Sequence, residues 1–166
     1  SKAGLIYKNA FIKHDQKGYL DYIKSVEKGT AKINAGALYP YEIVGRYKNL
    51  RDGDRTLEEM WRALPDTVNG ADATLVVADG SGSMNCEYVG NNTTALDVAH
   101  SLAIYFAERM SGAFKDKYIT FSSRPQFVNL SKCESLSEKL IEARRHNECS
   151  NTNIEKVFNL ILRTAI

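Results

Sequence analysis

Apolar residues recur at helical spacing through the first third of the chain. Leu5, Ile6, Tyr7, Ala10 and Phe11 form one set, and Tyr19, Leu20, Tyr22, Ile23 and Val26 follow after His14-Asp15, ending near Gly29. Pro40 opens a further short helix inside Ala37–Val44, because proline at a first helical position forfeits no hydrogen bond. Beyond the polar break Arg51-Asp52-Gly53-Asp54, Thr56 with Glu59 has capping-box spacing and predicts a helix carrying Leu57, Met60, Trp61 and Leu64. Asn69-Gly70-Ala71-Asp72 reads as a linker, which divides the chain into an all-helical region, 1–70, and a second domain, 71–166.

The second domain alternates between strand and helix patterns. Thr74–Asp79 is a strand apolar on both faces, which predicts a central position in a sheet. A loop with turn chemistry (Gly90, Asn91, Asn92) spans Asn85–Thr94, and Ala95–Met110 is a helix packed against the sheet, with Asp97 serving its first turn. Tyr118–Phe121 and Gln126–Leu130 flank Ser122-Ser123-Arg124-Pro125 as a hairpin. Ser135 with Glu138 opens a helix to about Arg145. Thr152 with Glu155 opens another, with Ile154, Val157, Phe158, Ile161, Leu162 and Ala165 facing inward. The order fits an α/β fold, a sheet covered by helices. With few strands for so many apolar helices, and a last residue, Ile166, at the end of an apolar helix, the chain reads as a fragment.

Composition is that of an ordinary globular protein, with no apolar stretch of membrane-spanning length. The first fifteen residues carry lysines throughout, so no signal peptide is expected. Cys86, Cys133 and Cys149 are odd in number and lack a C-x-x-C pair, which fits free thiols in a reducing cytoplasm. The net charge of +2 conceals an asymmetry: residues 1–51 carry ten Lys/Arg against four Asp/Glu. Tyrosines and Phe11 are interleaved with those lysines. The pattern admits two readings, solvated amphipathic helices or an RNA-binding surface.

The candidate chemistry sits where the first strand of the second domain ends. Asp79-Gly80-Ser81-Gly82-Ser83 places one carboxylate and two hydroxyls at alternate positions of a turn, a ligand set for a hard cation such as Mg²⁺. Position 85 is Asn, so a dinucleotide loop G-x-G-x-x-G is excluded. Position 79 is Asp, so the nucleophile elbow G-x-S-x-G is excluded as well. A third alternative is that these side chains only satisfy turn amides. His14, His100 and His146 share no metal-ligand spacing, and Cys86 follows the motif closely enough to lie near it.

The runs V-V-A-D-G-S-G-S-M, A-L-D-V-A-H-S-L-A-I-Y-F-A-E-R, Y-I-T-F-S-S and T-N-I-E-K-V-F resemble the von Willebrand factor A (vWA) domain and its metal-ion-dependent adhesion site. With N-A-G-A-L-Y-P-Y-E-I-V upstream, the chain resembles an uncharacterised family that joins a TROVE-like helical region to a vWA domain. The resemblance implies a Rossmann-like, doubly wound sheet, truncated here. It also implies Mg²⁺ (or Mn²⁺ or Ca²⁺) held by Asp79, directly or through water, with Ser81, Ser83 and Thr152. A further family Asp lies downstream of this chain, so weak or absent metal binding is expected of it. The implied function is non-enzymatic: a cytoplasmic module that binds a protein partner supplying a carboxylate, with no membrane contact. The alternative is an RNA-binding, ribonucleoprotein-like scaffold built on the basic helices.

Overall fold

The computed structural model describes residues 2–47, 49–68, 74–86, 88–90 and 93–165. The expected linker 69–72, the loop residues Asn91 and Asn92 and the terminal Ile166 lie outside the described residues. The chain divides into two compact units, Ser1–Pro65 and Asp66–Ile166.

The first unit is helical: α1 (Lys2–His14), α2 (Gln16–Glu27), α3 (Pro40–Val44) and α4 (Arg55–Arg62). Asp15 caps α2 by accepting from the Gly18 amide, and Gly29 takes a left-handed φ of 73° just past its end. Pro40 stands at the start of α3 as the sequence predicts. The α4 cap differs from expectation. Asp54 accepts from the amides of Thr56 and Leu57, while Thr56 sits buried inside the helix and bonds the Tyr19 hydroxyl at 3.0 Å. A carboxylate two residues upstream outcompetes the hydroxyl because it can accept from two orphan amides at once. Ile23, Ile43, Leu57, Met60 and Trp61 make the core of this unit, and Lys8 ion-pairs with Asp54 at the α4 entry.

The second unit is mixed α/β. It contains β1 (Val77–Asp79), α5 (Gly82–Cys86), β2 (Tyr88–Gly90), β3 (Thr93–Thr94), α6 (Ala95–Arg109), β4 (Lys117–Phe121), β5 (Phe127–Asn129), α7 (Leu136–Arg145) and α8 (Ile154–Ala165). The sheet order is β1-β4-β5, with β1 parallel to β4 and β4 antiparallel to β5. The crossover from β1 to β4 is carried by α6, which packs on both strands and fully buries Ala103, Ile104 and Ala107. Thr94 and Asp97 cap α6 with a reciprocal box. Tyr118, Ile119, Val128, Leu130, Leu136 and Leu140 complete a close-packed core.

Four expectations for this unit are corrected. The first strand is shorter than 74–79, and among the described residues it lies at the sheet edge, with Val77 39% exposed. The segment 85–94 holds the last residues of α5 and the pair β2–β3 instead of a plain loop. The side chain of Asn153, not Thr152, caps α8 by accepting from the Lys156 amide at 3.0 Å. Finally, among the described side chains α8 turns only Val157 fully inward, while Ile154, Phe158 and Leu162 are 57–65% exposed; that of Ala165 lies outside the described ones. The helical periodicity was legible, but the described sheet offers α8 only a narrow contact.

Candidate functional site

Because β1 and β4 run parallel with Asp79 opposite Phe121, both strands release their chains at the same end of the sheet. That is the end where open α/β sheets bind ligands. Asp79, Ser81 and Ser83 leave β1 there, and Ser123 follows β4. The segment Cys149-Ser150-Asn151-Thr152, between α7 and α8, closes the far side of an open cleft of about 880 Å³. The structure therefore brings all four predicted residues, Asp79, Ser81, Ser83 and Thr152, into one cleft.

Local bonds fix the turn. Asp79 Oδ1 accepts from the Ser81 amide at 2.8 Å, and the Ser81 and Ser83 hydroxyl oxygens stand 3.1 Å apart. Gly80 is buried, and a Cβ there would lie 2.1 Å from Asn147 Oδ1, so a larger residue would force the Asn147 side chain to shift. Three contacts clasp the β4–β5 turn to the loop bearing Thr152. Ser123 N–H donates to Ser150 Oγ at 3.1 Å, Lys156 Nζ donates to the Ser123 carbonyl at 2.8 Å, and Arg124 donates twice to Glu148 Oε1. The Arg124 guanidinium holds Glu148 below the usual carboxylate range.

The cleft is rich in hydroxyls and carries a single carboxylate, and among the described residues no group of three or more His, Cys, Asp or Glu forms a metal cluster. Its donor set is nonetheless of the hard-oxygen kind. Adjacent ligands of an octahedral ion with bonds of about 2.1 Å stand about 3.0 Å apart. The Ser81 and Ser83 hydroxyls, hydrogen-bonded to each other at 3.1 Å, stand close to that spacing through their own bond.

Ser123 and Cys149 escaped the sequence reading. Ser123 is delivered by parallel pairing, which no local pattern encodes. Cys149 stands three residues before Thr152, whereas Cys86, the thiol nearest the D-x-S-x-S run, is exposed and is not among the residues lining the cleft. Cys149 accepts long contacts from the Asn85 and Asn147 amides, at 3.7 and 3.8 Å. The histidines stand elsewhere. His100 is buried on α6, where desolvation and Arg144 push it down to about 4, and His146 bonds Gln126 and Glu142.

Residues 73–166 match the family model described as a domain of unknown function, DUF7788. The chain belongs to that family. Residues 1–77 match a second one, the domain of unknown function DUF2828. These matches overturn the vWA and TROVE resemblance, since neither family is found and two distinct families account for both halves. The short runs that carried the resemblance are a strand, a hydroxyl-bearing turn and a helix, a combination that open α/β sheets share widely. The DUF7788 chain is 32% identical over 151 residues to uncharacterized protein L728 of Acanthamoeba polyphaga mimivirus. That match takes in 89% of this chain and 25% of the viral protein, so the chain spans about a quarter of that relative's length. No solved structure matches. Among the described residues no helix is long and apolar enough to cross a membrane.

Proposed function

We propose that the second unit is a non-enzymatic binding module that engages a protein partner through a divalent cation, Mg²⁺ or Mn²⁺, held by Asp79, Ser81, Ser83 and Thr152. The carrying observation is the convergence of these four residues on one cleft at the carboxyl ends of β1 and β4, with the Ser81 and Ser83 hydroxyls 3.1 Å apart. One carboxylate leaves a dication with net positive charge and exchangeable water positions. Lys156, tethered to the Ser123 carbonyl, adds positive charge to the rim. A partner's carboxylate side chain suits both. A nucleophilic role for Ser81 finds no support, since its hydroxyl faces another hydroxyl instead of an imidazole. The β1–α6–β4 unit is the building block of doubly wound sheets, and we read the domain's sheet as one of that kind. The exposed free thiols Cys86 and Cys149 favour a reducing compartment, the cytoplasm.

Calorimetric titration of Mg²⁺ and Mn²⁺ tests the reading. With so few charged ligands, saturable binding with Kd on the order of 10⁻⁴–10⁻³ M is expected, lost in Asp79→Ala. Equal affinity in wild type and Asp79→Ala would refute the assignment.

A further inference from the structure

The first unit holds its own concavity, about 460 Å³, lined among others by Phe11, Asp15, Tyr19, Tyr22, Lys32 and Asn34. Its volume lies within the ordinary range of small-ligand sites. The rings of Phe11 and Tyr19 are parallel within 10°, with centroids 6.4 Å apart. Both tyrosine hydroxyls are engaged: Tyr19 with Thr56 Oγ1, and Tyr22 by donating to the Lys32 carbonyl at 3.2 Å. The rings are thereby held in place as cleft walls. Phe11 and Tyr22 nonetheless remain 48% and 41% exposed.

The polar members of the lining present complementary functions. Asp15 uses Oδ1 on the Gly18 amide, which leaves Oδ2 as an acceptor. Asn34 uses Oδ1 on the Gly36 amide, which leaves its NH₂ as a donor. Lys32 has no acidic partner among the described residues. Nor do Lys13, Lys17 and Lys28, exposed on α1, on α2 and just after α2.

We propose that this cleft takes an unstacked base of a single-stranded nucleic acid. A nucleotide uses every element present: the rings stack on its base, Asp15 and Asn34 meet donors and acceptors on its edge, and Lys32 meets a phosphate. The apolar side chain of a peptide would leave Asp15, Asn34 and Lys32 unmatched. A duplex keeps its bases inside the stack, where a concave aromatic wall cannot reach them. The excess of Lys/Arg in residues 1–51, ten against four acids, supplies the long-range attraction for a polyanion that a free base would not need. The inference is independent of the cation site in the second unit.

The test is fluorescence anisotropy of the full chain with a short labelled RNA, single-stranded or annealed, across a salt series. Single strands bind more tightly than duplex. Phe11→Leu and Tyr22→Leu, which keep apolar volume and remove the ring, each weaken binding about tenfold. Tyr22→Phe, which keeps the ring and gives up only its bond to the Lys32 carbonyl, weakens binding far less than Tyr22→Leu. Lys32→Gln lowers the slope of log K against log salt by about 0.7, one phosphate contact. Asp79→Ala leaves RNA affinity unchanged, which separates this site from the cation cleft. Absence of RNA binding overturns the proposal and leaves the cleft to an apolar protein side chain. Equal binding by both leucine variants overturns it too, as does competition by mononucleotides at the same concentration as the strand, which would make the ligand a free nucleotide.

Discussion

On the proposed reading Asp79 has two separable roles, cation ligand and acceptor for the Ser81 amide, and a pair of substitutions divides them. Asp79→Asn keeps an oxygen that can accept the Ser81 amide, a bond of 2.8 Å here, while deleting the charge. Asp79→Ala deletes both. A carboxylate oxygen about 2.1 Å from a dication contributes roughly 4 kcal/mol of attraction even at the dielectric of bulk water. Desolvation of the half-buried carboxylate offsets part of this, so the loss from Asp79→Asn is at least about 1.4 kcal/mol, tenfold in Kd. The turn bond is worth about 1 kcal/mol of folding stability, the usual net value. Calorimetric titration of Mg²⁺ and Mn²⁺, beside urea unfolding of the same preparations, reads both quantities. The Asn variant is expected to lose cation affinity with an unchanged unfolding midpoint, and the Ala variant to lose both. Cation affinity that survives in the Asn variant would show that Asp79 only shapes the turn, and the ligation argument would fall.

Three further outcomes follow from the packing. Gly80→Ala drives a Cβ against Asn147 Oδ1, 2.1 Å away, and should cost about 1 kcal/mol in urea unfolding, recovered in the double variant with Asn147→Gly. His100 is held neutral, with its value pushed down to about 4 from 6.5. The unfolded chain therefore binds the extra proton as pH falls below 6.5, and stability declines until about pH 4, by roughly 2 kcal/mol at pH 5. His100→Leu should flatten that window in thermal scans, and an unaltered pH profile would disprove the assignment. Phe158→Glu on the outer face of α8 should leave stability within about 0.5 kcal/mol and lower the binding of a hydrophobic dye, because the ring is 65% exposed. A large loss of stability would mean that this face is packed.

Helix existence was legible because burial imposes a 3.6-residue period, and α1, α2, α6 and α7 stand near their expected bounds. Caps were less so. Thr56-x-x-Glu59 and Thr152-x-x-Glu155 both satisfy the box spacing, yet Asp54 and Asn153 won. Which oxygen reaches an orphan amide depends on how the chain enters the helix, and Thr56 is drawn away by Tyr19, a residue 37 positions distant. The strand edge at Val77 departs from expectation for a related reason: a run apolar on both faces reports what a strand could bury, whereas its place in the sheet depends on partners elsewhere. The near wall of the cleft was written in one short run, Asp79 to Ser83. Of the far wall, Thr152 came from a short motif, while Ser123 and Cys149 took their places through strand pairing and loop packing.

The clasp between the β4–β5 turn and the Thr152 loop gives the cleft a mechanical character. Three contacts span it, Arg124 to Glu148, Ser123 to Ser150 and Lys156 to Ser123, and two of them draw on exposed cationic side chains. A ligand that draws the β4–β5 turn and the Thr152 loop together would tighten those contacts, and by reciprocity anything that tightens them would raise affinity for that ligand. Salt loosens exposed ion pairs such as Arg124–Glu148 without touching the ligating oxygens. The frame of the cleft is thus expected to respond to ionic strength whatever the cleft holds.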